Sequence, residues 1–223
     1  MWKQLKRIIK PNGAIVMTAS QPFTTTLIAS NMKMFKYCWV WDKGVGVNFF
    51  HVKRQPLKVT EDVCVFFQKQ PTYNPIKTQR EKSIKKTNNN AGESSGYKID
   101  SASDKYIGRV YEDAYPTVML AFSSRAKDAR GLHPTQKPVA LGRYLIRTYT
   151  NENETVLDFT AGSGSFGVAA ILENRKFIGI ELDEGYFEIM EKRIKKAKEE
   201  VELDENYWKI VRERLMKGKK NGT

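Results

Sequence analysis

The sequence predicts an α/β fold, and three observations carry that prediction. A strand, a glycine loop, a helix and a second strand follow one another between Thr155 and Glu181, which is the order of a βαβ unit. Near the start, Trp2, Leu5, Ile8 and Ile9 recur at helical spacing, Pro11-Asn12-Gly13 stops that helix, and Ala14 to Ala19 reads as a buried strand. At 223 residues, 40% apolar and 11% aromatic, the chain holds enough apolar material to fill a hydrophobic core.

Each further element has its own signal. Tyr37 to Trp41 and Val63 to Phe67 crowd aromatic and β-branched residues between charged flanks, as strands do. From about Gln70 to Arg130 the character changes to Lys, Asn, Ser and Gly with hardly any apolar periodicity, which predicts a mobile insert. That insert reads either as a solvated surface loop or as a DNA-contacting segment, since Lys77, Arg80, Lys82, Lys85 and Lys86 offer phosphate contacts. After Pro138 a helix is expected from Val139 to Thr148, a strand from Thr155 to Asp158, a helix to about Glu173 and a strand from Lys176 to Glu181. From Glu184 the tail reads as charged surface helices, acidic around Glu199 to Glu205 and basic from Arg212 onward.

Lys and Arg total 38 against 25 Asp and Glu, a formal charge of +13, which favours a polyanionic partner such as nucleic acid over a merely solvated basic surface. No stretch approaches the roughly 20 apolar residues of a membrane span, and the start lacks signal-peptide regions, so a cytoplasmic location is expected. Cys38 and Cys64 lie in apolar, strand-like runs without metal-ligand spacing and read as reduced core thiols.

Gly162-Ser163-Gly164-Ser165-Phe166-Gly167 satisfies G-x-G-x-x-G between a strand and a helix, with Glu181 closing the next strand. A dinucleotide site therefore competes here, because both kinds of adenosine cofactor use an acid at that position for ribose hydroxyls. Asp158 weighs against it: a carboxylate at the end of the glycine-loop strand repels a pyrophosphate and suits a ligand that carries an ammonium group, as S-adenosylmethionine (SAM) does.

"DFTAGSGSFGVAA", "FIGIELDEGYF" and "GLHPTQKP" together resemble the SAM-binding half of bacterial and phage DNA methyltransferases that act on exocyclic amino groups of adenine or cytosine. The resemblance extends to "MWKQLKRIIKPNGAIVMTASQPF" and to the stretch from Phe35 to Pro75. It implies a Rossmann-like SAM-dependent methyltransferase sheet in the permuted order of that family, with the catalytic half in 1–70, a target-recognition insert in 71–130, the SAM-binding half in 131–200 and a charged tail in 201–223. It further implies that Asp158 and the backbone of Ala161, Gly162, Ser163 and Gly164 hold the methionine portion of the cofactor, Glu181 the ribose, and Thr135-Gln136-Lys137-Pro138 the amino-acid side. His133 is expected to position its loop and not to act as a base. Double-stranded DNA is the implied partner, and neither a metal nor a covalent enzyme intermediate is required.

Family members carry out catalysis with D-P-P-Y or a close variant, whose carboxylate and backbone carbonyl accept hydrogen bonds from the flipped base while the tyrosine stacks on it. The motif does not occur among these residues, and Asp113-Ala114-Tyr115-Pro116 has the wrong order. Phe23, Trp39, Trp41 and Phe49 are able to stack on a base but are expected mainly in packing roles. Three consequences are expected: a sheet incomplete at its N-terminal side, with a strand missing between the glycine-loop strand and the strand at Ala14 to Ala19; a partner chain or earlier segment that supplies it; and, as the alternative function, a non-catalytic DNA- or SAM-binding remnant. A nicotinamide-dependent oxidoreductase is the third reading.

Overall fold

The computed structural model describes residues 1–85 and 110–220. Two compact units emerge, Met1–Asn74 with Val118–Thr223, and Pro75–Thr117. In the first, helix α1 (Trp2–Ile8) leads into strand β1 (Ile15–Ala19), helix α2 (Phe23–Ala29) and the long strands β2 (Phe35–Val47) and β3 (Lys58–Phe66). The second unit holds β4 (Thr78–Lys85) and β5 (Val110–Ala114). The chain then returns through β6 (Met119–Ala121), α3 (Val139–Tyr149), β7 (Thr155–Asp158), α4 (Ser165–Leu172), β8 (Lys176–Gly179) and α5 (Glu184–Lys220).

The first unit contains a four-stranded sheet in the order β1-β3-β2-β6. β3 runs antiparallel to both its neighbours, and β6 runs parallel to β2. β3 is covered on both faces, which explains why its sequence Val63-Cys64-Val65-Phe66 is a continuous apolar run without alternation. Val63 and Val65 pack with Trp39, Trp41, Leu141 and Leu145 beneath α3, while Cys64 and Phe66 pack with Leu5, Leu27 and Met34 beneath α1 and α2. The buried indole of Trp39 donates to the Tyr149 hydroxyl at 2.7 Å, which in turn lies 2.7 Å from that of Tyr37, so the polar atoms brought into this core are satisfied.

β2 and β3 extend beyond the expected strands. Their outer halves, Asp42 to Val47 and Lys58 to Asp62, are too polar to register as an apolar run, yet they pair with each other as a hairpin arm. Cys38 and Cys64 face each other across this pair with sulfurs 3.5 Å apart, and burial above all pushes the Cys64 thiol up to about 12, so both are held as protonated thiols.

The stretch expected to be a structureless insert contains ordered pairing. Met119–Ala121 joins the main sheet, with Leu120 in the core. In the second unit β4 and β5 pair antiparallel, Thr78 opposite Ala114 and Lys85 opposite Val110. The ladder is made by the backbone, and that is why a sequence scan for apolar alternation overlooks it. Of the five cations singled out there, Lys77 is bound to Asp113 at 2.8 Å and Arg80 donates to the Asp113 carbonyl, while Lys86 lies outside the described residues. The tail is also simpler than expected: one helix, α5, begins at Glu184, because no proline interrupts it.

β7 and β8 form a separate parallel pair. Lys176 and Ile180 donate their amides to the Glu154 and Asp158 carbonyls, so by alternation the peptide groups of Leu157 point away from β8. Among the described residues no strand pairs with that side of β7, nor with the outer side of β1. The interruption expected between these two strands is therefore present, and both line one cleft.

Candidate cofactor site

That cleft has a volume of about 960 Å³. Its walls are β1 with α1 on one side and β7 with its following loop on the other, and its lining includes Thr135, Lys137, Asp158, Phe166 and Ile180. The size falls within the range for a cofactor site. Apolar side chains that a closed core would bury, Ile178 and Ile180, are more than half exposed because they face it.

The glycine loop is threaded tightly. Gly162 and Gly164 both adopt positive φ, +52° and +77°, and a Cβ on Gly164 would meet Met190 of α5 at 2.6 Å. Glu181 clamps the loop from the end of β8: one oxygen accepts the Gly162 amide at 2.7 Å, and the other accepts the amides of Leu182 and Asp183 at 2.9 and 3.0 Å. The Asp183 amide is the chief reason its carboxyl lies below the ordinary value; the Gly162 and Leu182 amides add to this and burial opposes it. Asp158 moves the other way. Burial raises its carboxyl, the Glu181 charge adds to the rise, and the Thr160 amide at 3.1 Å only partly offsets it.

The residues expected to bind cofactor therefore divide into two groups. Thr135, Lys137, Asp158, Ala161, Gly162 and Ser163 line the cleft, as does Gln136. Gln136 is nevertheless spent on its own loop, donating to the Asp128 carbonyl at 2.6 Å and accepting from Leu132 at 3.0 Å. Pro138 is buried at the start of α3, Gly164 is buried beneath α5, and Glu181 acts through Gly162. His133 braces the same region: its Nδ1 lies 3.1 Å from the Thr135 amide, and its ring meets Tyr186 at 4.3 Å. Trp39 and Trp41 are core residues, whereas Phe23 and Phe49 are 59% and 58% exposed.

Three bracing residues escaped the sequence reading. Glu61 of β3 holds Lys137 at 3.1 Å, with Lys43 at 3.9 Å on its other oxygen. Arg193 of α5 donates to the Ser163 carbonyl at 2.7 Å and reaches the hydroxyls of Ser163 and Ser165. Asp128 accepts the Val139 amide at 2.9 Å and so caps α3. Glu61 and Arg193 act across long sequence separations and Asp128 across eleven residues of loop, so no local spacing announces them.

A glycine loop between parallel strands, with one acid inside the cleft and a second clamping the loop, defines a nucleotide-cofactor site of the α/β class. The model of the DNA methylase family (N6_N4_Mtase) matches residues 1–192, and the chain belongs to that family. It is similar to the type II methyltransferase M2.LlaDCHI of Lactococcus lactis subsp. cremoris, 40% identical over 77 residues that take in 34% of this chain and 29% of that protein. It is also similar to the type II methyltransferase M.HpaI of Haemophilus parainfluenzae, 24% identical over 84% of this chain and 55% of the relative. The chain thus spans about half the length, or less, of these curated relatives. Among solved structures it resembles M1.HpyAVI in complex with SAM, with a TM-score of 0.59 and 25% identity over 86% of this chain and 78% of that one.

Proposed function

We propose that this chain belongs to a SAM-dependent DNA methyltransferase acting on the exocyclic amino group of adenine or cytosine. The observation that carries the reading is Asp158 in the cleft of a DNA methylase family member, beside a glycine loop whose Gly162 amide Glu181 holds. When bound, SAM supplies a methyl group on a sulfonium, ready for transfer to a nucleophilic nitrogen. Asp158 offers its carboxylate to the ammonium group, and the backbone of Ala161 to Ser163 borders the methionine portion. Ile178 and Ile180 offer an apolar wall for adenine. Glu181 keeps an acceptor site for a ribose hydroxyl on the oxygen that takes only the Gly162 amide, while holding the loop, and Lys137, fixed by Glu61, presents a cation to the methionine carboxylate.

Acceptors for the base amino group are expected from a further strand seated between β1 and β7, where two open edges face one cleft. An earlier segment of the same polypeptide or a partner chain would supply it. The basic charge supports double-stranded DNA as substrate, and this activity accords with a cytoplasmic location. No described helix is long and apolar enough to cross a membrane.

Calorimetry with SAM and, separately, with NADH tests the site. SAM binding without NADH binding is expected; tight NADH binding without SAM would sink the reading in favour of a nicotinamide enzyme. Transfer of labelled methyl from SAM to DNA, measured with the chain alone and with a D-P-P-Y segment added, then separates a methyltransferase from a non-catalytic remnant.

A further inference from the structure

Between β2 and β3 the chain leaves the sheet over residues 48–57 and does something unusual for a soluble surface: it presents adjacent aromatic residues to water. Phe50 is fully exposed, Phe49 is 58% exposed and Val52 54%. This tip is not a loose loop. Asn48 turns the backbone with φ +79°, and a short 3₁₀ turn at Phe49–His51 follows. The amides of His51, Val52, Arg54 and Gln55 then bond back to the carbonyls of Asn48, Phe49 and His51 at 2.8 to 3.2 Å. The tip's own backbone thus folds inward while the phenyl rings face outward.

The charge around the tip has one sign. Lys53, Arg54 and Lys58 fall between Asp42 and Glu61, a stretch without any acid, while Lys43 at its base is buried and paired with Glu61. Lys53 and Arg54 are exposed, and among the described residues no carboxylate pairs with either. The position is also specific. The tip emerges from the end of the sheet where Glu61 holds the cleft residue Lys137 and where Asp62 accepts from Thr24 of α2, just past the carboxyl end of β1.

Resting on the methyltransferase reading above, we propose that residues 49–54 form an aromatic wedge that enters duplex DNA beside the base to be methylated. Phe49 and Phe50 supply stacking surface for bases left unstacked when the target leaves the helix, and Lys53 and Arg54 hold the flanking phosphates. Aromatic side chains inserted at a base step offset the loss of base–base stacking, and basic neighbours neutralise the backbone that must approach. A lipid surface also accepts aromatic and basic residues together; membership of a DNA methylase family favours the nucleic acid.

The test compares the wild-type chain with F49S/F50S and with K53A/R54A. Fluorescence anisotropy is measured on a labelled mixed-sequence duplex over a salt series, alongside SAM calorimetry. Since both rings stand in solvent, F49S/F50S should keep its melting temperature and SAM affinity, lose about fivefold to 100-fold in DNA affinity, and keep the wild-type salt dependence. K53A/R54A should instead flatten the slope of log affinity against log salt by about two. Equal DNA affinity of F49S/F50S and wild type would overturn the wedge. So would wild-type binding to phosphatidylserine vesicles that is lost in F49S/F50S while DNA binding persists. A wild-type chain that binds SAM but no DNA would overturn the DNA substrate class as well, which keeps the two failures distinct.

Discussion

Asp158 and Glu181 are both carboxylates at the ends of neighbouring strands, yet the fold treats them in opposite ways. Glu181 gathers three amides and is stabilised as an anion; Asp158 has one amide and is pushed toward its neutral form by burial. The linkage signs follow. The depressed Glu181 contributes stability that is complete above its ordinary value of 4.5 and is lost as pH falls through the folded value. The raised Asp158 favours the fold below its ordinary value of 3.8, and that advantage disappears as pH rises through the folded value, so at neutral pH its charge opposes folding. Asp158→Asn is therefore expected to leave the melting temperature at pH 7 unchanged or higher while weakening SAM binding about tenfold or more, since it removes a charged acceptor worth about 1.5–3 kcal/mol. A loss of stability together with unchanged SAM affinity, read by thermal melting and calorimetry, would mark Asp158 as structural. Position and residue type made both acids legible in the sequence. Their opposite electrostatics were not, because these depend on which amides the loop turns toward each oxygen.

At the scale of elements, α4 is held between β8 and α5 by the absence of side chains. A Cβ on Gly167 would lie 2.6 Å from Phe177 of β8 and 2.7 Å from Ile194 of α5, so the third glycine of the loop serves close packing. Gly167→Ala is expected to destabilise the protein by about 1–3 kcal/mol through overpacking, and a shift in the denaturant midpoint with unchanged slope would show it. A variant as stable as wild type would mean that Phe177 and Ile194 move aside freely. The βαβ unit, α1, β1 and α3 were all legible because apolar spacing and glycine or proline punctuation coincide there. β4, β5 and β6 were not: the first two pair through backbone and polar side chains without apolar alternation, and β6 is only three residues, too short for a periodic signal. The outer arm of β2 and β3 stayed hidden for a related reason, since its residues are polar enough to resemble loop.

At the scale of the whole molecule, the cleft and the glycine loop belong entirely to the unit Met1–Asn74 with Val118–Thr223, while Pro75–Thr117 is compact by itself. The second unit supplies none of the residues that line the cleft, and its internal pairing, Lys77 with Asp113 and β4 with β5, is self-contained. Folding of the first unit and capture of SAM should therefore be separable from whatever the second unit contacts. Replacing residues 75–117 by a short Gly/Ser linker is expected to preserve the melting temperature and SAM affinity. DNA affinity should fall, because the replaced segment carries much of the lysine-rich stretch and each lost phosphate contact lowers the salt slope by about 0.9. Calorimetry and a DNA-binding salt series on the same preparation check both halves of this expectation. If SAM binding vanished with the segment, the first unit would depend on the second for its fold. If DNA binding were unchanged at matched salt, the segment would be a passive appendage, and recognition would fall to the cleft unit alone.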